Sequence, residues 1–310
     1  MKGTVIVTGA GGFIGPHLVG RLIDEGADVV AIGRNAFSPC VPLPNVPRSM
    51  IADIMDLPKL VKIFNDTRPS MVFHLAAAMG GPPREMITTN TMGTFNVLEA
   101  SVAAGVSRVV NVSTADVYGP GSPTPRDESS GLRPANPYGG SKLAGELVVK
   151  SFIKTRGLSA VNVRPFLVYG PGQIGSRMLI PYAITQALAG LPIDAGDGAY
   201  VRDPLYVTDA VEGIVRAATR PLAAGKDINL GTGRAISVQQ IIRQITGTVN
   251  KGSVVNFGAV PRRATDITNL VASTRLSAEL LDFRPVVSLE EGINRTVAWF
   301  RENGPAAPQL

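Results

Sequence analysis

Cysteine is nearly absent from this chain of 310 residues, and Cys40 is its only one. A single thiol excludes an internal disulfide framework and a cysteine-rich metal site. Two histidines, His17 and His74, are too few for a histidine-built centre, so we expect no bound metal. No apolar run reaches the ~18–20 residues that span a bilayer, and strand-like residues 4–7 follow Met1 too closely for a signal peptide. The sequence therefore predicts a cytoplasmic protein without a membrane partner.

Charged residues are also few. They make up 17% of the chain, and the formal net charge is +6. Lysine and arginine are scattered, without a basic run or an alternation of basic and aromatic residues. Because nucleic-acid-binding proteins concentrate positive charge in patches or stripes, we expect no nucleic-acid partner. A modest positive excess is equally suited to an anionic small-molecule substrate.

Short apolar segments alternate with helical patterns through the first half of the chain. The predicted strands there are 4–7, 28–32, 71–75, 108–112 and 160–164. The predicted helices between them are 14–25, 57–66, 86–104 and 138–155. This alternation is typical of an α/β fold with a Rossmann-type, doubly wound parallel sheet.

Beyond residue 165 the alternation loosens, and glycine-rich loops follow at 169–172 and 194–198. Further helices are predicted at 177–189, 208–218, 238–247, 274–281 and 289–303. We expect a Rossmann domain formed by residues 1–165 with about 205–235. Residues 166–204 and 236–310 are predicted to form a smaller, discontinuous C-terminal region that binds the substrate.

A glycine fingerprint follows the first predicted strand. Gly9 allows a tight turn, Gly12 lets the backbone approach a pyrophosphate, and Gly15 lets helix and strand pack closely. The helix that begins beside Phe13 and Ile14 offers the partial positive charge of its N-terminus. This position, at the first strand–helix junction, predicts binding of a nicotinamide dinucleotide.

The residue at the end of the second strand helps to distinguish a site for NAD from one for NADP. NAD-binding proteins usually carry an acid there for the ribose 2′-hydroxyl, whereas this chain has Gly33 and Arg34. An arginine suits a 2′-phosphate, so we favour NADP(H), with NAD(H) possible and a solvated loop charge as the alternative for Arg34. Asp53, with Ile54 beside it, is placed to accept from the adenine amino group, although it could instead begin a helix.

Small side chains follow the strand at 71–75. Leu75, Ala76 and Ala77 would let the backbone contact the cofactor's phosphates and ribose. His74 lies within the strand, and we interpret it as a buried histidine with its hydrogen bonds satisfied rather than as a catalyst.

Tyr138 and Lys142 carry the clearest chemical signal. Residues four apart on a helix share one face, so the ammonium can lie beside the phenol. A nearby cation favours the phenolate, so we expect a lowered pKa for Tyr138, suited to general acid–base work. Thr114 closes the strand at 108–112.

These motifs resemble the extended short-chain dehydrogenase/reductases, in particular the nucleotide-sugar epimerase, dehydratase and reductase group. The resemblance covers nearly the whole chain and includes 8–15, 74–77, 90–94, 113–119, 138–142, 164–165, 202–209, 229–233 and 263–266. It implies that Tyr138 is the acid/base, that Thr114 hydrogen-bonds the same sugar oxygen, and that Lys142 holds the nicotinamide ribose.

The resemblance also implies roles at the edges of the site. Asn90 would brace the active-site helix beside the cofactor, and Met79 would lie over the substrate. Arg202 and Arg263 would contact the diphosphate or nucleotide. Salt bridges are the alternative for these two arginines, namely Arg202 with Asp203 or Asp209 and Arg263 with Asp266.

Departures from the family leave several reactions open. Ala115-Asp116 stands where 4,6-dehydratases resemble one another in an Asp-Glu pair, so dehydration is disfavoured. Leu167 stands where many relatives carry a substrate-contacting asparagine. We favour an NADPH-dependent reductase of a nucleotide-linked 4-keto-6-deoxyhexose. The alternatives are an NAD-dependent 4-epimerase of the UDP-glucose type, a sugar or uronate dehydrogenase, and a non-catalytic NADP-binding regulator. The family also implies a homodimer.

Overall fold

The computed structural model describes residues 3–34, 48–121, 124–175, 178–249, 252–263 and 265–304. Its strands are β1 Thr4–Thr8, β2 Asp28–Gly33, β3 Arg48–Ile51, β4 Met71–His74, β5 Arg108–Val112, β6 Ala160–Pro165, β7 Leu167–Tyr169, β8 Ile193–Ala195, β9 Val201–Arg202, β10 Pro204–Tyr206, β11 Asp227–Leu230, β12 Ile236–Ser237 and β13 Val255–Phe257. Its α-helices are α1 Ile14–Asp24, α2 Leu57–Thr67, α3 Pro83–Ala103, α4 Pro137–Arg156, α5 Leu179–Leu188, α6 Val207–Thr219, α7 Val238–Val249, α8 Arg275–Leu281 and α9 Leu289–Asn303. Every predicted strand and helix is present, although residue 177 of the fifth predicted helix lies outside the described residues.

One parallel sheet forms the centre of the fold. Its seven strands lie in the order β11-β6-β5-β4-β1-β2-β3, and every pairing is parallel. The chain reverses its direction of travel across the sheet between β1 and β4. In open α/β sheets, ligands bind outside the carboxyl ends of the strands at such a point. The predicted Rossmann-type fold is confirmed.

The central strands bury both of their faces. In β1, Val5 and Val7 pack with α1 and α6, while Ile6 between them packs with α2 and α3. This alternation follows from the two-residue period of a strand, since successive side chains point to opposite faces. The sheet is thus fixed by apolar packing on both sides, and its carboxyl edge is a firm base for a site.

The second half of the chain adds three small two-stranded sheets, which pair β7 with β10, β9 with β12 and β8 with β13. Residues of α5, α7 and α9 belong to the same apolar core as one face of the large sheet. In the described ranges, no helix combines the length and apolar character needed to cross a membrane. The same ranges hold no cluster of histidine, cysteine or acidic residues that could bind a metal ion.

Candidate active site

The turn between β1 and α1 has room only for glycines at two of its positions. Gly9 has a φ of 71°, and a Cβ there would lie 2.5 Å from the Ala76 backbone nitrogen. A Cβ on Gly15 would lie 2.5 Å from the Ala10 carbonyl oxygen. Gly12 is less crowded, with a contact of 3.3 Å to its nearest neighbour. The backbone therefore lies where side chains would otherwise block a ligand.

The start of α1 is open to an anion. Phe13 is the N-cap residue, and its side chain makes no capping hydrogen bond to the helix. The first N–H groups of a helix have no partner within the helix, so those that follow Phe13 and Ile14 suit a phosphate oxygen. Together with the glycine turn, this geometry fits a dinucleotide pyrophosphate.

The ends of β2 and β3 carry the residues that the sequence predicts to contact the adenosine half of a dinucleotide. Arg34 directly follows β2 and is exposed. The Asp53 carboxylate accepts from the Met55 backbone N–H at 2.9 Å. Asp56, and not Asp53, caps α2, because it accepts from the Lys59 backbone N–H at 3.1 Å. Asp53 thus lies in the turn before the helix, with its carboxylate half-exposed at the sheet edge.

The side chain of Ile54 packs into the core. Its side chain is buried against α3, where a Cβ on Gly93 would lie 2.2 Å from the Ile54 Cδ1 atom. The Ile54 carbonyl accepts from the Asn96 side-chain amide at 2.9 Å. Any contact between Ile54 and a cofactor is therefore made by its main chain.

His74 is held as a neutral, buried side chain. Its Nδ1 lies 2.7 Å from the Thr8 hydroxyl and its Nε2 lies 3.1 Å from the Thr94 hydroxyl. Because the Thr94 hydroxyl donates to the Asn90 carbonyl, it must accept from His74, so Nε2 carries the proton and Nδ1 accepts from Thr8. Burial, together with the nearby Lys142 charge, lowers the pKa of His74 to about 3. The interpretation of His74 as a satisfied structural histidine is confirmed.

Asn90 connects the loop after β4 to the start of α4. Its side-chain amide accepts from the Ala78 N–H at 2.7 Å and donates to the Ala78 carbonyl at 2.9 Å. It also donates to the Ser141 hydroxyl at 2.8 Å, which in turn donates to the Tyr138 carbonyl at 2.8 Å. The half-exposed residues 75–77 are thereby fixed next to the helix that carries Tyr138.

Tyr138 and Lys142 lie one turn apart in the first turns of α4. Tyr138 is half-buried, and the structure corrects its expected pKa: burial, and then the negative charge of Asp116, raise the pKa of Tyr138. Lys142 is almost fully buried, which lowers its pKa to about 8, and Glu146 one turn further along acts in the opposite direction. Burial outweighs the expected effect of Lys142 on Tyr138 because the phenolate loses its hydration.

Thr114 and Asp116 lie against the start of α4. Thr114 follows β5 and caps a short 3₁₀ helix, Ala115–Tyr118, by accepting from the Asp116 N–H at 3.2 Å. The Asp116 carboxylate accepts from the Asn136 side-chain amide at 3.4 Å, and Asn136 caps α4 through the Gly139 N–H. Burial raises the pKa of Asp116, opposed by Asn136 and by the Arg202 charge. Sequence reasoning missed Asp116 as a site residue, although one 3₁₀ turn is enough to bring it beside Thr114 and Tyr138.

The salt bridges considered as the alternative role of Arg202, with Asp203 or Asp209, do not form. The Arg202 guanidinium donates to the Val201 carbonyl at 2.9 Å and lies 5.8 Å from the centre of the Tyr200 ring. The Asp203 carboxylate accepts instead from the backbone N–H groups of Thr232 and two other residues. Asp209 likewise accepts from the N–H groups of residues 286 and 287. Arg202 therefore keeps its charge near the site, where it faces Asp116.

Two further predicted substrate residues are exposed. Arg263 contacts Asp266 through its main-chain N–H at 2.9 Å, so a turn contact takes the place of the side-chain ion pair considered as its alternative role. The neighbouring Arg262 guanidinium lies 6.0 Å from the Tyr200 ring centre. Met79, in the loop before α3, is 59% exposed. The structure thus brings Arg202 and Arg262 onto one aromatic ring and leaves Arg263 and Met79 accessible.

Comparison with known proteins agrees with this geometry. The pattern of the NAD dependent epimerase/dehydratase family matches residues 5–231. The chain is 33% identical to UDP-glucose 4-epimerase of Mycolicibacterium smegmatis, over 96% of this chain and 98% of that protein. It is also 33% identical to dTDP-glucose 4,6-dehydratase of Streptomyces griseus, over 96% of this chain and 94% of that protein. The crystal structure of UDP-glucose 4-epimerase with UDP-glucose from Thermotoga maritima matches with a TM-score of 0.90 and 31% identity, over 96% of this chain and 99% of that one. This chain belongs to the NAD dependent epimerase/dehydratase family.

Proposed function

We propose that this protein is an NAD-dependent 4-epimerase of a UDP-hexose. The observation that carries the proposal is that the start of α4, which holds Tyr138 and Lys142, packs against the 3₁₀ turn that Thr114 caps, in a chain similar along nearly its whole length to UDP-glucose 4-epimerases. Ala115 has no acidic group for the removal of water, which weighs against dehydration. The epimerase reading therefore takes the place of the reductase that the sequence alone favours.

The reaction needs one proton relay at the sugar C4 oxygen. Tyr138 takes the hydroxyl proton as C4 is oxidised and returns a proton when C4 is reduced. Thr114 binds the same oxygen; its hydroxyl oxygen already accepts from the Asp116 N–H, which leaves the hydroxyl proton for the sugar. Lys142 holds the nicotinamide ribose through its ammonium group. Because Tyr138 and Lys142 lie on one rigid helix, the proton and the cofactor are positioned together.

The residues fit a dinucleotide. Gly9, Gly12 and Gly15 leave a backbone cradle, and the uncapped start of α1 suits the pyrophosphate. A bound NAD would supply the acceptor for the C4 hydride and the donor that returns it, to the opposite face of the ring when the configuration at C4 is inverted. Asp53 would accept from the adenine amino group, and the segment 75–77 would contact the ribose and phosphates. Asn90 supports that segment through Ala78.

Substrate recognition falls to the discontinuous region of residues 166–204 and 236–310. Arg202 and Arg263 bind the diphosphate, because guanidinium groups pair well with phosphate oxygens. Arg202 makes no ion pair within 4 Å in the described ranges, which leaves its charge for a ligand. Met79, exposed in the loop before α3, covers the sugar.

A second candidate, NADPH-dependent reduction of a nucleotide-linked 4-keto-6-deoxyhexose, is favoured by two observations. Arg34 is exposed where β2 ends, without an acid at that position. The raised pKa of Tyr138 favours the protonated phenol, which is the form that a reductase needs as a proton donor. A 2′-phosphate on the cofactor would then pair with Arg34.

Titration of the cofactor-free protein with NADH and NADPH separates the two candidates. The epimerase predicts that NADH binds at least as tightly as NADPH and that Arg34→Ala changes neither affinity. The reductase predicts NADPH binding at least ~10-fold tighter, about 1.4 kcal/mol, with the difference lost in Arg34→Ala. Arg243→Ala, at an exposed arginine on α7, is the matched control and leaves both affinities unchanged. Conversion of UDP-glucose to UDP-galactose without added reductant supports the epimerase, and its absence contradicts it.

We also propose a homodimer formed through α3 and α4, which pack against each other within the chain. Ile87 and Met92 on α3 and Leu147 on α4 are exposed apolar side chains. Val97 and Phe152, on the same helices, are buried in the core of the protomer and do not contribute to the proposed dimer contact. A twofold contact would cover the exposed side chains. Light scattering at micromolar concentration checks this, and a monomer would contradict it.

A further inference from the structure

A buried network of charged side chains surrounds α4 behind the site. Arg164 on β6 holds Glu146 on α4 through two hydrogen bonds of 2.9 and 2.7 Å, and neither side chain is exposed to solvent. Arg164 also lies 3.0 Å from Asp227 on β11, which pairs with Lys150 of α4 at 2.6 Å. Burying charges costs free energy unless each has a well-placed partner. The network thus fixes a carboxylate at a chosen point on the catalytic helix.

That point is one turn after Lys142. Residues 142, 146 and 150 follow at four-residue steps, so they lie along one face of α4. Lys142 is 3% exposed and has no ion pair within 4 Å in the described part of the chain. Glu146 is the acidic group that acts on the charge of Lys142. His74, which faces Lys142 from β4, is neutral. A buried ammonium without a counter-charge loses its proton.

We propose that Glu146, held by Arg164, is a positioning residue that keeps Lys142 charged while leaving its N–H groups for the nicotinamide ribose. The inference rests on the cofactor role proposed for Lys142. The bidentate grip of Arg164 orients both carboxylate oxygens towards the guanidinium. Glu146 therefore acts on Lys142 through the electrostatic field of its carboxylate and does not form a direct ion pair with it. The ammonium keeps its proton without losing its donors.

The two partners are expected to act on Lys142 in opposite directions. The pKa of Lys142 is about 8, so its ammonium is present below that pH and is lost above it. Glu146→Gln removes the counter-charge, which lowers the pKa and moves the loss to lower pH. Arg164→Gln removes a competing cation and frees Glu146 to act on Lys142, which moves the loss to higher pH.

The experiment is NADH binding by fluorescence from pH 6.5 to 9.5, with the folded state of each variant checked by circular dichroism. The protein without a substitution is expected to lose NADH affinity as the pH rises through about 8. Glu146→Gln should lose NADH affinity at a pH about one unit lower, and Arg164→Gln should lose it at a higher pH. Glu146→Asp keeps the charge and should restore the original midpoint. Asp227→Asn is the matched control, since it removes a carboxylate from the same arginine without neutralising the one nearest Lys142.

A purely structural network would give a different result. All four variants would then weaken NADH binding by the same factor at every pH, with an unmoved midpoint, and the proposal would be wrong. It would also be wrong if Glu146→Gln and Arg164→Gln moved the midpoint in the same direction. If unchanged protein bound no NADH at any pH, the proposed function itself would fail and this inference with it. If Glu146→Gln fails to fold, Arg164→Gln decides: a midpoint at higher pH supports the proposal, and an unmoved or lower midpoint contradicts it.

Discussion

Removal of one hydroxyl from each of two tyrosines near the site should have opposite consequences. Tyr118 is fully buried, and its hydroxyl donates to Asn229 at 2.7 Å and accepts from Arg164 at 3.0 Å. Tyr118→Phe leaves a buried amide oxygen and a guanidinium N–H without that partner, at about 1–3 kcal/mol each, so we expect a loss of about 3 kcal/mol in the free energy of unfolding. For a chain of this size, that lowers the melting temperature by about 6 °C.

Tyr138→Phe should instead leave stability nearly unchanged, because the Tyr138 side chain is only half-buried at the site. Loss of the acid/base should reduce turnover by about 10²–10⁴-fold while NADH still binds. Thermal melting, urea unfolding and a UDP-glucose to UDP-galactose assay, run on both variants, test the pair. Tyr138→Phe with turnover within tenfold of unchanged protein, or Tyr118→Phe with an unchanged melting temperature, would refute the reasoning.

Three further changes are expected to have measurable effects. Asp116→Asn removes a charge that raises the pKa of Tyr138, so the acidic limb of turnover, where Tyr138 becomes able to accept the C4 hydroxyl proton, should move to lower pH, and an unmoved limb would contradict the assignment. Gly15→Ala places a Cβ 2.5 Å from the Ala10 carbonyl, so it should lower the free energy of unfolding by about 1–3 kcal/mol and weaken NADH binding, as titration and urea unfolding would detect. Leu147→Glu puts a charge on the proposed dimer face and should give a monomer by light scattering with an unchanged melting curve for the protomer. A variant that remained dimeric would place the interface elsewhere.

The fold could be predicted from the sequence because local patterns agreed with the packing. The apolar β1 segment, followed by a glycine turn and a helix, has one arrangement that buries Val5 and Val7 on one face and Ile6 on the other. The short pairs such as β9 with β12 escaped prediction. β9 and β12 span two residues each, too few for a two-residue alternation to be recognised.

The site was predicted as a set of motifs, but its electrostatics were not. A four-residue spacing between Tyr138 and Lys142 says that they are neighbours, whereas the pKa of each depends on burial by distant segments. Asp203 is a second example. Because it follows Arg202 directly in the sequence, an ion pair between their side chains is expected. Its carboxylate instead binds the backbone of Thr232, which approaches from β11. Contacts of this kind depend on the tertiary fold.

The most direct test of the central claim is turnover of UDP-glucose that carries deuterium at C4. The account predicts UDP-galactose with the deuterium retained at C4 and no exchange with solvent hydrogen, and about 10²–10⁴-fold slower formation of that product with Tyr138→Phe. Deuterium lost to solvent would contradict hydride transfer at C4 followed by its return. The absence of any interconversion, in protein shown to bind NADH, would contradict the proposed epimerase and leave the reductase to be tested with a 4-keto sugar.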